Sequence, residues 1–331
     1  MIEKGNQEKL LDAITDVPGI KVGHSQNLKA GTGCTVVICE KGATTGVDVR
    51  GGAPGTRETD LLNPINLVDK AHAVYLGGGS AFGLDGATGV MKYLEEKEIG
   101  FDVVLTKVPI VPGAVLFDLD VGDYKIRPDA QMGYEACLNA TENEASQGNV
   151  GAGTGATVGK VFGGFRCMKG GLGTAGVKAQ ELIVGAIVAV NCLGDVIDPE
   201  KGEIIAGVLT EDKKGFANTM SFLRNFPMGS GENFSKNTTI GVIATNAKLT
   251  KAGAEKVAIM AQDGYARAIS PSHTMFDGDT IFCMATGEVE AGGNVVGAIA
   301  AEVMARAIVK AIKNTRSLFK LKSYQDLFKN V

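Results

Sequence analysis

The residues of this 331-residue chain that could do chemistry sit at the ends of apolar runs. The sharpest boundary is SGENFSKNTTIGVIATNA, Ser230 to Ala247. Up to Asn237 it is polar, glycine-containing and aperiodic, which predicts a flexible loop; from Thr239 it carries Ile240, Val242 and Ile243, which predicts a buried strand. Thr238 lies on that boundary, and two roles are open to it. It can simply begin the strand. It can also be a nucleophile if a base sits beside its hydroxyl, and the shortest way to supply one is to make the threonine an N-terminus. Its own α-amine, with an ordinary pKa of about 7.7 to 8, then accepts the hydroxyl proton. This requires a cut between Asn237 and Thr238, in which the same hydroxyl attacks the Asn237 carbonyl and water opens the resulting ester. Local sequence leaves both roles standing.

Three further groups have chemical potential. Asp277 and Asp279, one residue apart ahead of the strand-like run Thr280 to Ala285, could both reach such an amine if their loop places them there. A loop of solvated acids or a cation site fits the same Asp-Gly-Asp spacing. Asn191 ends the apolar run ELIVGAIVAVN, where a side-chain amide needs partners. In AVYLGGGSAFGLDGATGVMKYLEEK, a strand from Ala73 to Leu76 turns through Gly77, Gly78 and Gly79 into a helix carrying Phe82, Leu84, Val90, Met91 and Leu94. That turn offers backbone N–H groups to an anion or oxyanion, or serves only as a tight packing turn.

Nucleotide cofactors are excluded by pattern. In GATVGK, ending at Lys160, a phosphate loop would need glycine in place of Thr154 and a hydroxyl residue in place of Val161. The dinucleotide fingerprint fails because Val158 stands where the third glycine belongs. His24, His72 and His273 lie far apart without ligand spacing, so no metal site is expected. Six scattered cysteines without a CxxC pair read as buried reduced thiols. With 33 basic and 37 acidic residues and no long block of either, the chain presents no nucleic-acid face or polybasic membrane surface. The N-terminus lacks a signal-like apolar core, and the expected setting is the cytoplasm with a small-molecule substrate.

The elements that must position these groups are buried strands at Cys34–Cys39, Val103–Thr106, Leu182–Val190 and Thr280–Ala285, and amphipathic helices at Asp129–Asn139, Thr250–Ile269 and Asn294–Lys313. Strands and helices do not alternate strictly, so a layered α+β sandwich is preferred to a doubly wound parallel sheet. The C-terminal SLFKLKSYQDLFKNV is expected to be a surface helix or a subunit-contact tail.

Four stretches carry a family resemblance: GIKVGHSQN (Gly19–Asn27), GVDVRGGAPGTRETDLLNP (Gly46–Pro64), LGGGSAFGLDGATGV (Leu76–Val90) and GAGTGATVGK (Gly151–Lys160). They resemble the P1 family of peptidases, self-processing hydrolases that include L-aminopeptidase/D-esterase, β-peptidyl aminopeptidases and 6-aminohexanoate-oligomer (nylon-oligomer) endohydrolase. The resemblance runs from about Ile14 to Lys313. It implies a four-layer α/β/β/α sandwich, like N-terminal-nucleophile hydrolases in layering but not in connectivity. It implies one domain over residues 1–331, cut between Asn237 and Thr238 into a large chain (1–237) and a small chain (238–331). Thr238 becomes the nucleophile, Lys160 an active-site cation, Asn191 an oxyanion donor, and Asp277 and Asp279 the carboxylates near the new amine. Gly78, Gly79 and Phe82 fall in the substrate and oxyanion region. Phe82 stands where the nylon-oligomer enzyme has a tyrosine, which speaks against that substrate. The implied activity is hydrolysis of small peptides, amino-acid amides or esters, or amino-acid oligomers through an acyl-enzyme, without a cofactor, in a homo-oligomer of αβ units, a tetramer favoured. The competing readings are an ornithine-acetyltransferase-like acyltransferase and a processed but inactive binding protein.

Overall fold

The computed structural model describes residues 10–225 and 237–328. The part of the expected loop before Asn237 lies outside the described residues. Alternation along the strands accounts for the architecture. The strands are β1 (Lys21–Asn27), β2 (Thr32–Val49), β3 (Lys70–Gly77), β4 (Gly113–Val115), β5 (Gly171–Ala179), β6 (Leu182–Val190), β7 (Ile240–Ala247) and β8 (Thr280–Val289). They join in the order β5-β6-β7-β8-β2-β3-β4, with Thr56–Arg57 at the β4 edge and β1 paired to β2.

The long β2 belongs to two halves of this sheet. Its beginning pairs with β1 and β3, its end with β8, and the register with β3 breaks between Ile38 and Ala43. Successive side chains point to opposite faces. Val36, Ile38, Ala73 and Tyr75 therefore pack under two helices, α1 (Gly86–Glu96) and α2 (Ala130–Leu138). Val37, Cys39, Val74 and Leu76 face inward, where they meet Ile187, Ala189, Ile240, Val242, Phe282 and Met284 of the other half. The far side of that half, including Val184, Val188, Ile243 and Cys283, is covered by α3 (Lys251–Ala268) and α4 (Gly293–Lys313). The result is four layers, α/β/β/α, as the resemblance implies.

Helix starts follow their caps. Asp129 accepts from Met132 N at 2.9 Å ahead of α2, and Thr250 accepts from Gly253 N at 3.1 Å ahead of α3. All six cysteines are buried and unpaired. Among the described residues no helix is long and apolar enough to cross a membrane.

One expected strand is absent. Val103–Thr106 is the tip of a hairpin between Phe101–Asp102 and Lys107–Val108, with Val104 and Leu105 exposed. The Asp102 carboxylate accepts from Val104 N at 2.7 Å, and Val103 N donates to Thr106 O at 3.0 Å. This Asx-type turn overrides the β-branched composition.

Candidate active site

The site follows from strand register. β7 and β8 are parallel and begin together, with Ile240 opposite Thr280. The three residues ahead of each, 237–239 and 277–279, must therefore run side by side. Gly278 N donates to Asn237 O at 2.9 Å, Thr239 N to the Asp279 carboxylate at 2.8 Å, and Thr280 N to Thr239 O at 3.1 Å. On the other flank β6 is antiparallel to β7 with Ala189 opposite Ile240, which carries Asn191 to the turn. Thr238 N donates to Asn191 O at 2.8 Å. The Thr238 hydroxyl rests on the carbonyl oxygen of Asn237.

The strand ends thus bring together Thr238, Asn191, Asp277 and Asp279, and a side chain from the glycine-rich segment completes the set. Lys160 Nζ donates to Asn191 Oδ1 at 2.8 Å. The same oxygen accepts from Thr157 N at 2.9 Å, and Asn191 Nδ2 donates to Phe117 O at 3.0 Å. Asn237, Thr238, Lys160, Asn191, Asp277 and Asp279 are all buried. A lysine after a glycine loop is ordinarily a surface residue; here its Nζ is drawn to an amide oxygen at the end of a buried strand. Burial holds the Lys160 pKa below its ordinary value, and the nearby Asp120 and Asp277 charges oppose that shift.

The two carboxylates brace the turn. Asp277 accepts from Leu193 N at 3.3 Å and from the backbone N–H and hydroxyl of Thr274. Asp279 accepts from Thr239 N, and from His273 through its backbone N–H at 3.0 Å and its ring Nδ1 at 2.9 Å. Burial, then the neighbouring Asp279 charge, raises the Asp277 pKa to about 6.

The Gly78–Gly79 turn is linked to the site through the chain that follows β4. Gly79 N donates to the Asp118 carboxylate at 2.7 Å and Gly78 N to Gly33 O at 2.9 Å, so both N–H groups are taken by protein acceptors. Between this turn and α1 runs a 3₁₀ segment, Ser80–Asp85. Phe82 lies on it with 61% of its surface exposed and the Arg127 guanidinium 4.1 Å from its ring centroid. It is not on the apolar helix face expected from its spacing.

Sequence reading passed over Gly278, Thr157, Phe117, Asp118 and Lys169. Gly278 carried a local signal, the glycine between two aspartates: a Cβ there would stand 2.7 Å from the Thr238 hydroxyl oxygen. Phe117 contributes only its backbone carbonyl, which no side-chain pattern reveals.

Four layers in this order resemble N-terminal-nucleophile hydrolases in layering, and solved aminopeptidase structures share the fold. The L-aminopeptidase/D-Ala-esterase/amidase of Ochrobactrum anthropi, a variant of the Ntn-hydrolase fold, superposes with a TM-score of 0.71 at 18% identity over 93% of this chain and 87% of that one. A Burkholderia sp. β-aminopeptidase gives 0.68 at 21% identity over 97% and 94%. The sequence profile of peptidase family S58 matches residues 12–323. The chain belongs to this family, and is a hydrolase of peptide or amide C–N bonds. It is 41% identical to an uncharacterized aminopeptidase of Mycobacterium leprae over 96% of this chain and 94% of that protein. It is 30% identical to the 6-aminohexanoate-oligomer endohydrolase of Paenarthrobacter ureafaciens over 90% and 85%.

Proposed function

We propose that this protein is a self-processing amide hydrolase whose nucleophile is Thr238. The observation that carries the reading is the double hold on the Asn237 carbonyl: the Thr238 hydroxyl lies against it while Gly278 N–H donates to its oxygen at 2.9 Å. Attack of Oγ1 on that carbon puts negative charge on the oxygen that Gly278 already binds. Asn191 O holds the leaving nitrogen through its N–H. Collapse breaks the Asn237–Thr238 C–N bond, the nitrogen gains the hydroxyl proton, and water then opens the ester. Residues 1–237 and 238–331 become separate chains.

The freed amine of Thr238 is the base for turnover. Its hydroxyl attacks an amide or ester carbonyl, the amine passes the proton to the leaving group, and water hydrolyses the acyl-enzyme. One Asn191 N–H is given to Phe117 O. The second, without a protein acceptor among the described residues, is assigned to the substrate oxyanion. Lys160, held on Asn191 Oδ1, keeps the neighbouring amine deprotonated by its charge. Asp277 and Asp279 orient the cut strand. The names of the relatives direct the substrate search to short peptides, amino-acid amides and aminohexanoate oligomers. The cut units assemble as a homo-oligomer, a tetramer by the family resemblance.

The test is the chain pattern on a denaturing gel. Wild type should give two chains of about 25 and about 10 kDa by proportion of length, the smaller beginning Thr-Thr-Ile-Gly. Thr238→Ala should stay whole at 34.3 kDa and inactive. A folded wild type that stays whole while hydrolysing an aminoacyl amide would sink the reading. Amine release without an added acceptor separates hydrolysis from acyl transfer.

A further inference from the structure

Lys169 has no part in the mechanism above, yet it is fully buried and its ammonium is fully used. Nζ donates to Gly153 O at 2.9 Å, Ala156 O at 2.9 Å and Gly170 O at 2.7 Å. Three acceptors match the three hydrogens of the charged form, whereas a neutral amine has two. A buried cation satisfied only by backbone carbonyls is costly to keep, and its removal from water needs a reason.

The reason lies one peptide away. Lys169 sits opposite Thr157 in a short antiparallel ladder, and Gly170 N also donates to Ala156 O, at 2.8 Å. The carbonyl of the Ala156–Thr157 peptide therefore holds two donors. The N–H of that same peptide donates to Asn191 Oδ1 at 2.9 Å. A cation on the oxygen of an amide strengthens its N–H as a donor. Asn191 Oδ1 thus meets one ammonium directly, that of Lys160, and a second through a single peptide unit. Both draw electron density from the carboxamide and fix which end of it faces the site.

We infer that Lys169 is a positioning residue for substrate hydrolysis: through the Ala156–Thr157 peptide it orients and polarises the Asn191 carboxamide, whose second N–H binds the substrate oxyanion. The inference rests on the oxyanion role proposed for Asn191. Burial pulls the Lys169 pKa down to about 7, and the nearby Asp118 charge opposes that shift; Asp118 is itself anchored by Gly79 N and Thr32 Oγ1, both at 2.7 Å.

A double-mutant cycle tests it, read as kcat and KM on alanyl or β-alanyl p-nitroanilide, whichever wild type cleaves faster. Lys169→Gln keeps two donors but no charge, and Lys169→Met, of similar volume, keeps none; two variants guard against one failing to fold. Recovery of the cut, two-chain form with a cooperative melt establishes folding. Lys169→Gln should lower kcat about tenfold with KM within about twofold, and Asn191→Ala should lower it by about two to three powers of ten. In the Asn191→Ala background, Lys169→Gln should cost less than about twofold, because the group it acts through is gone. A kcat unchanged by Lys169→Gln and Lys169→Met, or effects that multiply with Asn191→Ala as a general structural role would give, would overturn the inference. Full activity of Asn191→Ala would overturn the oxyanion assignment itself, an outcome distinct from either.

Discussion

Gly278→Ala probes the self-cleavage step at one atom. The added Cβ would stand 2.7 Å from the Thr238 hydroxyl oxygen and 2.7 Å from Ala53 O. Relief requires a displacement of about 0.7 Å or more to reach ordinary van der Waals contact. Ala53 O belongs to backbone whose N–H donates to Asp277 O at 2.8 Å, so it is tied to the same turn. The hydroxyl, free to rotate, moves first, and it moves off the Asn237 carbonyl. A misplacement of about 1 Å in a reacting group costs about a hundredfold in rate. A shift of about 0.7 Å, with the Gly278 N–H drawn away from the developing oxyanion, should slow self-cleavage by about 10- to 100-fold. Crowding should also destabilise the fold by about 1–3 kcal/mol. The assay is a pulse of labelled protein made in a cell-free system and sampled over time on a denaturing gel, with melting followed separately. Gly293→Ala is the control, since a Cβ there meets nothing within 4 Å, and it should cleave like wild type. If Gly278→Ala cleaves at the wild-type rate, the close contact between turn and nucleophile has no bearing on the chemistry and the reasoning fails.

Other outcomes are expected. Thr239 Oγ1 is buried with no hydrogen-bond partner among the described residues, so Thr239→Val should still be cut and should melt at or above wild type, a gain of about 1 kcal/mol; loss of cleavage in a folded Thr239→Val would move the nucleophile. Burial raises the Asp118 pKa to about 6 against the hydrogen bonds from Gly79 and Thr32. The folded state then holds a proton the unfolded chain releases near 3.8, so this group's stability is full below about pH 4 and falls by about 3 kcal/mol as pH rises through 6. Asp118→Asn should flatten that slope in denaturant titrations between pH 4 and 6. For assembly, light scattering on the purified protein should give a mass several times 34.3 kDa; a monomer at micromolar concentration would remove the oligomer proposal.

Legibility from sequence tracked the range of the interactions involved. β6 was read to the residue because both its faces are buried and its apolar run has abrupt ends. The starts of α2 and α3 were read because Asp129 and Thr250 cap locally. Pairing register was not legible: that Ile240 lies opposite Thr280 depends on a parallel crossover of 32 residues, 248–279, and it is this register that sets Gly278 against Asn237. Val103–Thr106 failed because a single Asp102 carboxylate decided the turn. The resemblance named Lys160 and Asn191, but Lys169 reaches Asn191 only through a peptide group, and backbone relays leave no trace in residue type.

The order of the strands has a bearing on the protein's life history. β7 and β8, which the proposed cut assigns to the small chain, lie between β6 and β2 of the large one. Folding of the intact chain threads them there as part of one molecule. Once the cut is made, a copy that comes apart would have to find two lost central strands from solution and slide both into a closed interior. The catalyst would then be assembled once per synthesis and not repaired. Its working lifetime would be set by how rarely the sheet opens, a rate, and not by the equilibrium between folded and unfolded forms.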